Sequence, residues 1–579
     1  MYIEKVMIEN FRNFRRVQFN TQEKNIIIGV NDVGKTNLLT ALHKLFDYKQ
    51  RNKEILDTDF HKKSINNNIT ICARINFEEE DLYRDILISN IKDLRKNETQ
   101  NQLDIRLTYR KDDITTMEWK CYPSEDDWIN IPSFGINRLL IDNIFSTEYI
   151  DPRIKIETNF KNFKNTIISD IGKDNLSELV DIEQKFTDVN SLVQELPEVG
   201  VINEKLNAQL ENLDMNFEVK VQSSIGLNGV YDNLDVFMNE KGSDDNVTNY
   251  PTAGDGRKKV VEYAMHKHNI ENTTRKIPIT LLEEPENHLH ISLQKQLSKT
   301  MFEIGIVFVT SHSAELLHEI PEGVNVIKLE SKGSSIFAEN ACIEVPDEIQ
   351  KLKQLYQREI VNAMFCSNVF LVEGYSEKIF WEFVLNEKIK TSEDRNNIYV
   401  LNIIGTDFAP YYNFLTELKI NVYVRTDNDL KKSGENCNLS GINRGLDLLG
   451  EAKLPNIEET LVARNDESPD DLLTRWRISR RVFDDYNKEI SLLKNKNIYL
   501  SKVDFENSLA DSLFAEEEME KKSEFIKELQ QSKWHNLLSS DFASQIFDSS
   551  NLETILQSGE FEGLHNFIQS INGVCNEND

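Results

Sequence analysis

Residues Gly29 to Thr36 read GVNDVGKT, and this stretch constrains the fold more tightly than any other. Its spacing is G-x-x-x-x-G-K-[ST], with Gly29, Gly34, Lys35 and Thr36 at the defining positions. Asn25 to Ile28 before it is a short β-branched run that predicts a buried strand, and Asn37 to Leu42 after it continues as a helix. Glycines between a strand and a helix let backbone N–H groups wrap an anionic phosphate at the helix N-terminus, where the dipole also favours negative charge. Lys35 would then neutralise the β- and γ-phosphates, and the Thr36 hydroxyl would complete a Mg²⁺ shell. Asn31 and Asn37 complete the expected set of nucleotide contacts. The competing reading is a chance glycine turn; the full motif in strand–loop–helix context favours nucleotide.

A chain of 579 residues holds two or more domains, each with its own core. Its 39% hydrophobic and 28% charged content describe an ordinary globular protein. No apolar run approaches the roughly 20 residues that span a bilayer, and no signal peptide is evident, so the expected location is the cytoplasm. The six cysteines are scattered without a C-x-x-C pair, which argues against a zinc site or a disulfide framework. A net charge of −30 disfavours non-specific binding of nucleic acid by the whole surface, yet leaves room for a locally basic groove and for carboxylates gathered around metals.

Ile8 to Phe14, IENFRNF, closes a first strand, and by itself reads as a small apolar sheet edge. Alternating residues at Ile69 to Phe77 and at Leu103 to Tyr109 predict an antiparallel sheet laid against the nucleotide core. From about Lys161 to Asp214 the pattern turns helical, with Leu176, Leu179, Val180, Phe186, Val189, Val193 and Leu196 at helical spacing, and Ile202, Leu206, Leu210 and Leu213 after Pro197. Such stripes pack into the parent domain or form a subunit interface. Ile277 to Glu286, IPITLLEEPE, is then a hydrophobic strand ejecting Glu283 and Glu284 at its carboxyl end, beside the phosphate loop of a neighbouring strand. Glu283 could bind Mg²⁺ through water and Glu284 could orient an attacking water. The strand Ile306 to Thr310 delivers Ser311-His312-Ser313 to the same edge; His312 could bond a γ-phosphate, or the segment could simply cap a helix. Gly254 to Lys259, GDGRKK, is either an ordinary loop or a turn that meets nucleotide phosphate across a dimer.

In that order, IENFRNF, GVNDVGKT, GDGRKK, LLEEPENHLH and VTSHS resemble the ABC-type ATPases of the RecF, SMC and OLD group. The resemblance implies that a dimer sandwiches ATP, that Lys35 and Thr36 hold phosphate and Mg²⁺, that Glu284 is the catalytic acid and that His312 is the switch histidine. Glu283 stands where that group usually has aspartate, and the signature turn reads GDGRK, so nucleotide binding is a safer expectation than fast hydrolysis.

Beyond residue 365 the acids change character. The strand Val369 to Val372 ends in Glu373-Gly374, with Glu377 one helical turn later on the same face. Ile420 to Val424 runs into Arg425-Thr426-Asp427-Asn428-Asp429, and Ile498 to Leu500 leads to Asp504 and Glu506. Carboxyl ends of parallel strands converge at one sheet edge, so these acids are expected to share a pocket. Grouped carboxylates repel unless hard cations sit between them, and two Mg²⁺ or Mn²⁺ roughly 4 Å apart would activate water on a phosphodiester. The plainer alternative is a set of helix caps facing solvent.

This set resembles a Toprim domain, with Glu373 at the family's glutamate and Asp427 and Asp429 at its D-x-D. An ABC-type ATPase fused to a C-terminal Toprim is the layout of OLD-family nucleases, and the resemblance is closest to the nuclease subunits of Gabija anti-phage systems. It runs through NFRNF, NDVGKTN, GDGRKK, EEPE, TSHS, TDNDL and YLSKVDFEN, over nearly the whole chain. It implies that Asp504 and Glu506 join the metal site, either one binding directly, and that Lys533 stabilises the transition-state phosphate. Glu377 replaces an aspartate found in some relatives, which leaves its ligand role open. It further implies cleavage of double-stranded DNA restrained by ATP, a UvrD-like helicase partner (GajB), and tetramers. The α/β domains expected are an ATPase at 1–155 and 233–345, a helical, dimerising insertion at 156–232, and a Toprim domain with C-terminal helices at 346–579. The alternatives are a RecF-like DNA-repair ATPase, and an OLD-family repair nuclease without a helicase partner.

Overall fold

The computed structural model describes residues 1–153 and 254–574 apart from short stretches, the longest being 92–100, 344–352, 459–471 and 533–542; between 154 and 253 it describes 184–192 and a few isolated residues. The stripes expected from Leu176 to Val180 and from Ile202 to Leu213 lie outside the described residues, as does Lys533. No helix among the described residues is long and apolar enough to cross a membrane.

Among the described residues, two six-stranded sheets and one four-stranded sheet carry the sites, beside smaller sheets of three and two strands. The phosphate-loop strand Lys24–Ile28 lies inside a sheet whose order is Ser335–Ile343, Val324–Lys332, Lys24–Ile28, Ile306–Thr310, Ile277–Glu283, Phe145–Ile150. Every neighbour pair is parallel except the edge hairpin of Val324–Lys332 with Ser335–Ile343. A strand with both faces covered must be apolar throughout. Ile26, Ile27 and Ile28 meet this demand: all three are fully buried, Ile26 and Ile28 in one core and Ile27 in another. Each such side chain contributes about 1.5–3 kcal/mol by burial.

The Ile27 face packs on the antiparallel sheet, ordered Phe14–Asn20, Tyr2–Phe11, Ile69–Asn76, Gln102–Tyr109, Thr115–Cys121, Ile129–Asn130. The alternation read at Ile69 to Phe77 is its inward face, with Ile71 opposite Leu107 and Ile75 opposite Leu103. The Ile26 and Ile28 face belongs to a core that continues into the second half of the chain through Tyr356, Ile360 and Met364 of the helix Lys353–Met364. That core takes in Val369, Leu371 and Val424 of a parallel sheet ordered Ile398–Asn402, Asn368–Val372, Asn421–Thr426, Ile498–Leu500. Alternation sends Phe370 and Val372 to the opposite face, where they pack with Phe380, Trp381, Leu509, Phe561 and Phe567 under the C-terminal helices. Hydrophobic core is thus continuous from the phosphate loop to the acidic sheet edge.

Candidate functional site

The phosphate loop is set by two glycines in the left-handed region. Gly34 has φ 110° and Gly29 φ 151°, and a Cβ on Gly34 would fall 2.2 Å from the Asn13 amide nitrogen. Asn13 explains this tightness: its Nδ2 donates to the Val33 carbonyl at 2.7 Å, and its Oδ1 accepts from Asn37 at 2.8 Å. Arg12 donates to Asn37 Oδ1 and to Asp59, both at 2.9 Å. The IENFRNF turn, which reads in isolation as an apolar sheet edge, therefore grips the loop through Arg12 and Asn13.

The loop opens on a cavity of about 420 Å³ lined by Asn31, Asp32, Gly34, Lys35, Thr36, Asn37, Glu284 and His312. Lys35 Nζ donates to the Gly29 and Val30 carbonyls at 2.9 and 3.0 Å, and burial holds its pKa below the usual lysine range. Glu283 sits behind the loop, accepting from the Thr36 hydroxyl on one oxygen and from Tyr149 Oη at 2.5 Å on the other. Tyr149 comes from the edge strand Phe145–Ile150 and carries no motif, so sequence reasoning missed it.

Glu284 turns out of its strand with φ 42°, a left-handed conformation costing a non-glycine about 1–3 kcal/mol. Its amide donates to the Thr310 carbonyl at 3.0 Å, and Asn287 holds its carboxylate at 2.9 Å. The result aims Glu284 into the cavity, with Oε1 3.3 Å from His312 Nε2. Burial first, then the nearby Lys35, lower the His312 pKa and so favour the neutral ring. Ser313 caps the helix Ala314–Leu317, and His312 lines the cavity. The segment is anchored by Glu286, another residue that sequence reasoning missed: its Oε1 accepts from Ser311 Oγ and His312 N at 2.8 Å and from Ser313 N at 3.2 Å. Gly254 to Lys259 do not line this cavity. Lys259 is buried and donates to the Asp151 carbonyl at 2.6 Å.

The second cluster lies at the carboxyl edge of the four-stranded sheet. Glu373 follows the strand Asn368–Val372, and Asp427 and Asp429 follow Asn421–Thr426. Glu373 accepts from Asp427 N at 3.1 Å, from the Thr426 hydroxyl and from Arg444. Glu377 turns back on the chain, its Oε2 accepting from Glu373 N at 2.8 Å and Gly374 N at 3.1 Å. Burial, against the neighbouring Arg425, pushes its pKa up to about 7. Asp504 caps the helix Phe505–Leu513, accepting from Asn507 N at 2.7 Å, and Gln530 reaches its other oxygen at 3.1 Å.

Among the described residues no three histidine, cysteine or carboxylate side chains converge as a ready metal-ligand group. The reason is visible locally: Glu373, Glu377, Asp429 and Asp504 are each already engaged by a guanidinium, an amide N–H or a side-chain amide. Asp427 Oδ1, like Glu377 Oε1, is buried without a hydrogen-bond partner. Burial first, then repulsion from Glu377, Glu373, Asp504 and Glu506, raises the Asp427 pKa well above the carboxylate range. A buried, unsatisfied carboxylate repelled by four others has the chemistry of a ligand to a hard divalent cation, with Glu373, Glu377, Asp504 and Glu506 near it but not converged around one point.

Comparison with known proteins agrees with this division. Residues 1–317 match the family model described as an AAA ATPase domain, and residues 364–429 match the model of the overcoming lysogenization defect protein-like TOPRIM domain. The chain is 30% identical over 534 residues to "Endonuclease GajA" of Bacillus cereus (strain VD045), covering 89% of this chain and 90% of the relative. It is 20% identical over 365 residues to the DNA replication and repair protein RecF of Streptococcus suis (strain 05ZYH33), covering 57% of this chain and 98% of that one. The solved SMC head domain from Thermotoga maritima aligns at 12% identity with a TM-score of 0.30, over 60% of this chain and 100% of the other.

Proposed function

The chain belongs to the GajA endonuclease family, and from that premise we propose that it is a metal-dependent DNA endonuclease that nicks or cleaves double-stranded DNA under control of the nucleotide at Gly29 to Asn37. The observation that carries the metal reading is the buried, unpartnered oxygen of Asp427 amid four other carboxylates. Asp427 and Glu373 would hold the cation, with Asp429, Asp504 or Glu506 completing its shell. When bound, a divalent cation supplies an activated water and charge stabilisation for the leaving oxygen. The chain's own residues position the acids. Thr426 and the Asp427 amide orient Glu373, while Glu377 pins the Glu373-Gly374 backbone from which that carboxylate projects. Lys533 is proposed to meet the charge developing on the phosphate.

At the other site, ATP supplies the phosphates and Mg²⁺ the charge that binds them to the loop. Lys35 would leave the Gly29 and Val30 carbonyls for the β- and γ-phosphates, Thr36 and Glu283 would face the Mg²⁺, and Glu284 would orient water beside the neutral His312. ATP binding is proposed to restrain cleavage through the core shared by the loop strand and the acidic sheet. The family premise extends the proposal to anti-phage defence in the cytoplasm, to a UvrD-like helicase partner (GajB), and to a tetramer built with the insertion at 156–232. The ATPase would then occupy 1–155 and 233–345, and the Toprim unit 346–579.

The test is cleavage of supercoiled plasmid in Mg²⁺ or Mn²⁺ by the wild type and by Glu373→Ala and Asp427→Ala. Cleavage that needs the cation and disappears in both variants is expected. A wild type inert on plasmid and phage DNA in either metal would sink the nuclease reading in favour of a repair ATPase.

A further inference from the structure

Arg444 enters the acidic cluster from the helix Ser440–Leu448, and nothing in its sequence neighbourhood announces a site residue. The helix reaches the Asp427-Asn428-Asp429 turn because Gly441 has no side chain: a Cβ there would fall 2.3 Å from the Asp427 carbonyl and 2.9 Å from Asp429 N. Gly441 N donates to the Asp429 carbonyl at 3.2 Å, fixing the helix against the turn. Arg444, one turn further on, then lies over the acids. One arm of its guanidinium donates to Asp429 Oδ2 at 2.6 Å, and the other contacts Glu373 and the Thr426 hydroxyl. The guanidinium is only 12% exposed and joins carboxylates from two different strands.

This is an unusual place for an arginine in a cluster that fits a divalent cation, because the planar fork takes the same lone pairs a cation would. Arg425, another cation nearby, faces only Glu377 among the acids, at 3.9 Å, and its donors go elsewhere: to the Glu560 carbonyl at 2.7 Å and to Ser501 Oγ at 3.1 Å, with its guanidinium 4.5 Å from the Phe561 ring centre. Arg444 alone of the two spans the acids expected to bind metal. We propose that Arg444 is a displaceable counter-ion, which holds Glu373 and Asp429 together in the metal-free cluster and competes with the divalent cation for their oxygens, so that it sets the cation concentration at which the site fills. This rests on the metal reading of the cluster given above. With its one charge bridging Glu373 and Asp429, Arg444 offsets part of the repulsion among the acids, and a cation that takes those oxygens must turn the guanidinium out.

The experiment is Mn²⁺ binding by electron paramagnetic resonance on the full-length, nucleotide-free protein, comparing wild type, Arg444→Gln, Arg444→Lys and Asp427→Ala. Binding lost in Asp427→Ala defines the ions at this cluster. Arg444→Gln should bind those ions about tenfold more tightly, the factor that about 1.4 kcal/mol of lost competition gives. Arg444→Lys, which keeps the charge but not the fork, should fall between glutamine and wild type. Should Arg444→Gln fail to give a cooperative melt, the lysine variant carries the test, and it must still bind more tightly than wild type. Unchanged or weaker Mn²⁺ affinity in both variants would overturn the proposal, leaving Arg444 as a scaffold for the acids. Wild type without any Asp427-dependent Mn²⁺ would overturn the metal reading itself, and this inference with it.

Discussion

Glu283 and Glu286 leave the same strand end, three residues apart, and do different work. Glu283 shares its two oxygens between Thr36 and Tyr149. Replacing Tyr149 by Phe removes one of those bonds and keeps the ring that stacks on His43. Mg²⁺-ATP affinity should fall about five- to tenfold, for a lost bond of about 1–1.5 kcal/mol; isothermal titration would show it, and an unchanged affinity would remove Tyr149 from the site. Glu286 instead accepts three bonds from the Ser311 to Ser313 segment while almost fully buried. Glu286→Ala should destabilise the fold by about 2–3 kcal/mol, because the donors it satisfies are left buried. Urea unfolding measures that loss, and a change near zero would mean that the segment is held by something else.

The helix Lys35–Phe46 shows how an element ties sequence to site. It starts at Gly34, whose φ of 110° and contact with Asn13 admit no side chain. Gly34→Ala should retain the circular dichroism of the wild type but lose nucleotide affinity by on the order of tenfold or more, the cost of forcing a non-glycine there. Near the helix end, burial lowers the His43 pKa from 6.5 to about 4. The folded state therefore keeps this ring neutral while the unfolded chain protonates it below about 6.5. The stability so contributed is present above that pH and lost as pH falls toward about 4. His43→Phe, which preserves the stacking on Tyr149, should flatten the pH dependence of the urea midpoint across that window; an equally steep profile would place the titration elsewhere.

What the sequence shows plainly at this scale are strands and strand ends. Ile26 to Ile28, the alternation at Ile69 to Phe77, and the acids after Val372 and Thr426 are legible because burial on one or both faces dictates residue type at fixed spacing. Asn13, Tyr149 and Arg444 are not, since each acts across a gap in the chain: Asn13 reaches Asn37, Tyr149 reaches Glu283, and Arg444 reaches Glu373. No local period marks such a contact. The acids themselves illustrate the limit, for strand-end logic brings them to one edge but cannot say that amides and a guanidinium already occupy most of their oxygens.

For the whole molecule, the connection between its two sites matters most. Ile26 and Ile28 of the loop strand share one core with Val369, Leu371 and Val424 of the acidic sheet, and Lys328 on the strand beside the loop strand donates to the Cys366 carbonyl at 3.1 Å. A packed interior transmits small displacements instead of absorbing them, so a change at Gly29 to Asn37 has a physical route to Glu373 and Asp427. The central claim is that nucleotide in the loop governs cleavage at the acids. Its most direct measurement is plasmid cleavage with and without ATP, at fixed free Mg²⁺, by wild type and Lys35→Ala. ATP is expected to suppress cleavage by the wild type and to leave Lys35→Ala active. Equal suppression of both proteins, or none of either, would contradict it.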